Sequence, residues 1–183
     1  MALVESTALE LGTILPPFQL KDASGKARPY ASLFGPQGLL VVFTCNHCPY
    51  AIAVWPRLVR LSAKARGLGV ACAAVNPNIH PSYPEDSPAR MLEKIEEWKI
   101  DFPYLVDDTQ QSARAWKAQC TPDPYLLDRD GKLVYHGRID DNWKDETGVK
   151  TRDLERAIEA LAAGRPIERE QRPSMGCSIK WKS

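Results

Sequence analysis

Apolar and polar residues recur with two different periods along this chain, and the changes of period mark its elements. Leu39-Leu40-Val41-Val42-Phe43-Thr44 is a short apolar run rich in β-branched and aromatic residues. Such a run reads as a strand covered on both faces, as in the middle of a parallel sheet. It ends at Cys45. From Ala51 to Arg66 the apolar positions Ile52, Trp55, Leu58 and Val59 follow helical spacing, with Gly67 as a stop and a kink expected at Pro56. Val70 to Val75 predicts a second buried strand, and residues 76–88 a proline-rich loop containing His80. Ser87-Pro88 is an N-cap followed by a first-turn proline, opening a helix whose apolar face is Met91, Leu92, Ile95 and Trp98. Tyr104-Leu105-Val106 is a short strand. Asp108 or Thr109 is expected to cap a helix through Ala113, Trp116 and Lys117. Tyr125 to Leu127 and Lys132 to His136 are strands joined by the turn Asp128-Arg129-Asp130-Gly131. Thr151 caps a last helix with Leu154, Ala157, Ile158 and Leu161 inward, ending at Gly164.

Strands and helices therefore alternate, then give way to a hairpin and a helix. That order predicts an α/β fold with a mixed sheet, parallel strands first and antiparallel ones added late. A length of 183 residues fits one domain, with residues 1–34 as an amino-terminal extension and 165–183 as a tail without clear periodicity. Phe18 and Leu20 alternate with polar residues, so the extension should hold a short strand. A chain of this size buries roughly 70% of its unfolded surface, enough to fold without metal or disulfide staples.

Lys and Arg total 24 against 23 for Asp and Glu. No sign of charge dominates, which argues against a nucleic-acid or membrane-surface partner. No apolar run approaches the ~20 residues of a membrane span. The first residues lack a basic stretch followed by an apolar core, so no signal peptide is expected and a cytoplasmic, reducing location is inferred.

That setting changes the reading of the five cysteines, Cys45, Cys48, Cys72, Cys120 and Cys177. Cys45-Asn46-His47-Cys48 has the spacing of a redox dithiol or of half a metal site. It falls between a buried strand's carboxyl end and a helix's amino end, where α/β sheets usually place their chemistry. If the helix starts there, its dipole and unpaired amides favour a Cys45 thiolate. Cys48, three residues on, should be within disulfide reach but more shielded. Cys45 is thus the expected nucleophile and Cys48 the resolving thiol, with His47, when protonated, adding positive charge. Pro49 sits in the first turn, where a missing N–H costs little.

Phe43-Thr44-Cys45-Asn46-His47-Cys48-Pro49 at a strand–helix junction resembles the active site of the thioredoxin superfamily. Cys120-Thr121-Pro122-Asp123-Pro124-Tyr125-Leu126-Leu127 is similar to that superfamily's second site segment. The resemblance implies a cis peptide at Pro122 packed against the dithiol, and pairing of the Thr121 backbone with a substrate peptide. Leu11-Gly12, Leu15-Pro16-Pro17-Phe18, Asp22, Gly25 and Tyr83-Pro84-Glu85-Asp86 are similar to the alkyl hydroperoxide reductase/thiol-specific antioxidant branch. The match spans roughly residues 8–163. It implies a thioredoxin-like fold, a central mixed sheet with helices on both faces. Two positions depart from the relatives. Peroxiredoxins carry Thr or Ser three residues before the peroxidatic Cys, where Val42 stands here. Thioredoxins carry an acid on the strand before the motif, where residues 38–44 hold none.

The function these features predict is a thiol–disulfide oxidoreductase without a cofactor or bound metal. Its substrate would be a protein or low-molecular-weight disulfide, and its reductant an unidentified partner. A His in the second middle position is also the protein disulfide isomerase pattern, which places the expected potential above thioredoxin's about −270 mV. The alternatives are a thiol peroxidase acting through Cys45 and a non-enzymatic metal chaperone or redox sensor. Cys120, two residues before Pro122, and Cys177, in Pro173-Ser174-Met175-Gly176-Cys177, are candidate additional redox thiols. They would pair with each other if the tail packs over the site, and Cys177 would lie on a surface tail if it does not. Cys72 reads as a small buried hydrophobe. His80 and His136 read as loop and strand residues, and Asp140-Asp141-Asn142 as a solvated loop. Asp128 to Gly131 mimics the start of a calcium loop, but its twelfth position is Ile139, which excludes one.

Overall fold

The computed structural model describes residues 3–182. Among them the elements run β1 (Leu3–Glu5), β2 (Gln19–Asp22), β3 (Ala27–Pro29), β4 (Gly38–Phe43), α1 (Pro49–Gly67), β5 (Val70–Asn76), α2 (Pro88–Trp98), β6 (Tyr104–Val106), α3 (Gln111–Ala115), β7 (Cys120–Thr121), β8 (Asp123–Asp128), β9 (Leu133–His136), α4 (Asp153–Ala162) and β10 (Met175–Ser178), with short 3-10 turns between.

The main sheet has the order β3-β2-β6-β5-β4-β8-β9. β4, β5 and β6 are parallel neighbours, and β8 joins β4 antiparallel with Val42 opposite Pro124. The apolar run explains why β4 is central. All six of its residues are buried, and they alternate between two cores. Leu40 and Val42 face Trp55 and Leu58 of α1, Met91 of α2, and Leu154 and Ile158 of α4. Leu39, Val41 and Phe43 face the opposite core, with Ala113 of α3, Trp116, Phe18 and Leu33. Helices thus cover both faces, although on the second face the short α3 shares the work with aromatic rings. Trp116 has ring centroids 5.5 Å from Phe18, 5.8 Å from Phe43 and 5.3 Å from Tyr125.

Four details depart from expectation. The strand of the amino-terminal segment pairs with β6 and carries β3 on its outer edge, so residues 19–29 widen the main sheet. The α3 helix is capped from farther back than Asp108 or Thr109. Asp107, buried, accepts the amides of Ser112 at 3.4 Å and Ala113 at 2.9 Å, and the chain enters through Gln110 in the left-handed region. Asp140 does not sit in a solvated loop. It is buried against the Arg57 guanidinium at 2.6 Å, which also donates to the carbonyls of Asn142 and Trp143 and pins that loop to α1. The tail carries β10, which lies between β1 and β7 in a second sheet of three strands.

Trp55 ties the core to the strand–helix junction. Its indole N–H donates to the Cys45 carbonyl at 3.2 Å, and its ring packs against Trp98 and Tyr104 at 5.3 and 5.2 Å. Trp55→Ala is expected to cost about 3–5 kcal/mol, the range for emptying a large aromatic site in a core. Urea unfolding followed by circular dichroism should show a lower midpoint with an unchanged slope.

Candidate active site

β4 delivers the chain to the junction. The Thr44 amide donates to the Val75 carbonyl at 2.9 Å, extending the parallel ladder one residue beyond β4. The chain then turns through Cys45-Asn46-His47, and α1 begins at Pro49 with Cys48 as its N-cap. A proline fits the first helical position because its missing N–H has no intrahelical partner there. That start corrects the expectation about charge. The residue at the helix end is Cys48 rather than Cys45.

The segment after α3 closes the site from the other side. The Thr121-Pro122 peptide is cis, and it presents Thr121 to both sulfurs. Cys45 Sγ lies 3.3 Å from Thr121 Oγ1, and Cys48 Sγ 3.3 Å from the Thr121 carbonyl oxygen. β10 covers this arrangement, with Cys177 opposite Thr121 in the antiparallel register. Cys45, Cys48, Ala51 and Cys177 form one buried cluster, and both motif cysteines are 0% exposed.

The two motif thiols are driven apart. Burial pushes Cys45 up, reinforced by the neighbouring Cys48 sulfur and the Asp86 carboxylate, with the Thr121 hydroxyl opposing. Cys48 is pulled down to about 5, first by the Cys45 thiol donating toward it and then, against burial, by the Cys177 thiol and the amides of Ala51 and Cys177. The Thr121 carbonyl beside Cys48 favours its protonated form, but several donors outweigh one acceptor. Of the two sulfurs, Cys48 is therefore the one that gives up its proton more readily.

A second group reaches the site from the proline-rich loop. A 3-10 turn at Pro84–Asp86 inserts Asp86, fully buried, beneath the motif. Its carboxylate accepts the Asn46 amide at 2.6 Å, the Asn76 side-chain amide at 3.0 Å and the Nδ1–H of His47. The His47 ring stacks on Tyr83 at 4.5 Å, and its Nε2 is buried with no protein partner. Asn46 is held in turn by the Tyr104 hydroxyl at 2.9 Å and the Glu85 carbonyl at 2.8 Å. Cys45 Sγ, a His47 ring nitrogen and an Asp86 oxygen lie within 4.8 Å of one another, the one group of side chains among the described residues close enough to share a metal ion. A thiol, an imidazole and a carboxyl group bonded to that imidazole are thus in one place.

Of the residues expected at the site, Cys45, His47, Cys48, Thr121, Pro122 and Cys177 come together here. Cys120 does not join the thiol cluster. Its Sγ donates to the Pro122 carbonyl at 3.6 Å, burial pushes it far up, and Cys177 is directed at Cys48 instead. No two cysteines are disulfide-bonded among the described residues. Asp86 is a site residue that the sequence does not single out, and Tyr83-Pro84-Glu85-Asp86 is its only trace there. His136 is likewise more than a strand residue. It is buried, stacked on Tyr125 and bonded at 2.9 Å to Asp123, the residue after the cis proline.

A sequence profile described as the AhpC/TSA family matches residues 11–136. The chain belongs to the AhpC/TSA family. Over 159 residues it is 25% identical to the thiol-disulfide oxidoreductase ResA of Geobacillus kaustophilus, covering 86% of this chain and 81% of the relative. Two crystal structures share nearly the whole fold. A conserved protein of Geobacillus kaustophilus is 42% identical with a TM-score of 0.94, covering 100% of this chain and 97% of the other. A hypothetical protein from Sinorhizobium meliloti 1021 is 36% identical with a TM-score of 0.92, covering 98% of each. Thioredoxin-like solved structures share the architecture as well, so this AhpC/TSA member has the thioredoxin-like fold.

The assignment of the anion to Cys48 has a direct readout. Thiolate absorbance in the ultraviolet should persist on acidification until about pH 5 and then disappear. In Cys45→Ala the main donor is gone, so the transition should move to higher pH; an unmoved transition would place the anion elsewhere.

Proposed function

We propose that this AhpC/TSA member is a thiol–disulfide oxidoreductase in which Cys45 attacks a substrate disulfide and Cys48 resolves it. The single observation that carries the reading is the pairing of two sulfurs with opposite proton affinities against Thr121. Cys45 holds its proton and needs a base. The His47–Asp86 pair beside it supplies one, with Asp86 orienting the ring and Nε2 left to receive the proton. Cys48 is already anionic and attacks the mixed disulfide without further proton transfer. The acid that thioredoxins place on the preceding strand has its counterpart in Asp86, which arrives from the proline-rich loop.

The substrate in this reading is a protein or low-molecular-weight disulfide that reaches the Thr121-Pro122 edge when β10 is displaced from it, and a separate partner returns the electrons. Stabilising a thiolate stabilises the reduced form, so the potential lies above thioredoxin's about −270 mV. Such a pair rests reduced in a cytoplasmic compartment, which is the location we assign to it. No helix among the described residues is long and apolar enough to cross a membrane. A thiol peroxidase is the second reading, favoured by the Thr121 hydroxyl beside Cys45, a hydroxyl that Val42 does not supply. Both readings need the raised Cys45 thiol to be deprotonated before it attacks, so the second sulfur, Cys48, in place to resolve a mixed disulfide is what favours the first.

Cys48→Ser is expected to trap mixed disulfides on Cys45, detectable by mass spectrometry after exposure to oxidised insulin chains. Trapping on Cys48 in Cys45→Ser with none in Cys48→Ser would reverse the roles. In the wild type, His47→Ala should slow insulin reduction by roughly 10²-fold at neutral pH and change the shape of the pH profile. Hydrogen peroxide consumption faster than insulin reduction would favour the peroxidase. A glutathione redox titration should give a potential above about −270 mV, and a lower value would remove the argument from the Cys48 anion.

A further inference from the structure

The outer edge of β7 is occupied by the chain itself. β10 runs antiparallel to it, with Cys177 opposite Thr121 and Ser178 opposite Cys120. An exposed strand edge is a template for any extended peptide, and an internal strand that fills it excludes others. Here the approach is unusually close. A Cβ at Gly176 would lie 2.0 Å from the Thr121 carbonyl oxygen and 2.7 Å from its carbon, so only glycine lets the two backbones meet. The strand is fixed at both ends. Ser174 Oγ donates to the Pro122 carbonyl at 2.7 Å, the Ile179 amide to Gln119 at 3.0 Å, and the Lys180 amide to Asn78 Oδ1 at 2.9 Å. Between these anchors Cys177, 2% exposed, packs against Cys48 in the thiol cluster.

Thr121 is thus contacted by three sulfur-bearing residues, two from the motif and one from β10. We propose that Cys177 is a third exchanging thiol and that β10 is a built-in occupant of the substrate edge. The proposal rests on the reading of Cys45 and Cys48 as an exchanging dithiol. After substrate reduction those two are joined by one S–S bond. The Cys177 thiolate attacks Cys48 Sγ, the Cys45–Cys48 bond breaks, a Cys48–Cys177 bond forms, and Cys45 leaves as the thiolate, taking up the proton that Cys177 gave away. One disulfide is exchanged for another, and the oxidising equivalent is the one the substrate supplied. Cys177 is held up to about 12 by burial first and then by the Cys48 sulfur beside it, while Lys180 lowers it. Closing the Cys45–Cys48 ring turns Cys48 Sγ into an electrophile beside the Cys177 sulfur, so the third thiol acts only after the first two have reacted. The product locks β10 over the edge and leaves Cys45 reduced.

The test is peptide mapping of the full chain after timed exposure to oxidised glutathione and alkylation. In the wild type a Cys45–Cys48 cross-link should appear first and a Cys48–Cys177 cross-link should follow from it. In Cys45→Ser, glutathione should appear on Cys48 and then be lost as the Cys48–Cys177 bond forms. In Gly176→Val the strand is lifted, and the Cys48–Cys177 cross-link should be lost. A wild type that stops at Cys45–Cys48, together with a Cys45→Ser chain that retains glutathione on Cys48, overturns the role of Cys177 and leaves the dithiol reading intact. A Cys120–Cys177 bond in place of Cys48–Cys177 overturns it too. Absence of any cross-link in the wild type overturns the dithiol reading itself. The wild-type and Cys45→Ser maps decide the matter even if the valine variant does not fold.

Discussion

A sulfur anion sealed from water must be solvated by the protein, and the site of this chain is organised by that need. Cys48 is fully buried, so each stabilising donor comes from a different element. Cys45 arrives at the end of β4, Ala51 in the first turn of α1, and Cys177 on β10. A buried charge without such partners costs several kcal/mol and is removed by protonation instead. The same contacts therefore set both the packing at the top of the sheet and the redox chemistry. Moving any one element changes the charge on the sulfur as well as its position.

A buried carboxyl group fixes the turn that carries the two sulfurs. Asp86 has no access to water and is held by an amide, an asparagine and a histidine. Both residues between the motif cysteines are thereby tied down, Asn46 to Asp86, Glu85 and Tyr104, and His47 to Asp86 and Tyr83. The turn holding the two sulfurs is rigid because the proline-rich loop holds it from outside. From the opposite side, Asp123 and His136 brace the segment just after the cis proline. A hydrogen-bonded His–Asp unit thus supports each half of the site.

Much of this was legible in the residues, for identifiable reasons. β4 and β5 are apolar throughout because helices and rings cover both their faces, and α1 shows its stripe because one side packs on the sheet. The dithiol and Pro122 were legible because local spacing carries them. What could not be read depends on long-range pairing. β10 is four residues of Met-Gly-Cys-Ser, without alternation, and its partners are residues 3–5 and 120–121. Asp140 looked solvated because Arg57, which neutralises it, lies 83 positions away. Asp86 sat unremarked in a loop for the same reason. Spacing alone does not show that the helix begins at Pro49 or that the Cys45 and Cys177 thiols converge on Cys48. A shift of one helical turn in the start moves the dipole from one sulfur to the other.

Chain ends are ordinarily the safest places to attach a label, since they fray and touch little. This molecule is built the other way. β1 pairs with β10, and β10 pairs with the residue that touches both motif sulfurs, so residues 3–5 and 175–178 are laced together beside the reactive centre. A label inserted at residues 3–5 or 175–178 would pull on that lacing. The behaviour of tagged protein would then report on the handle as much as on the enzyme.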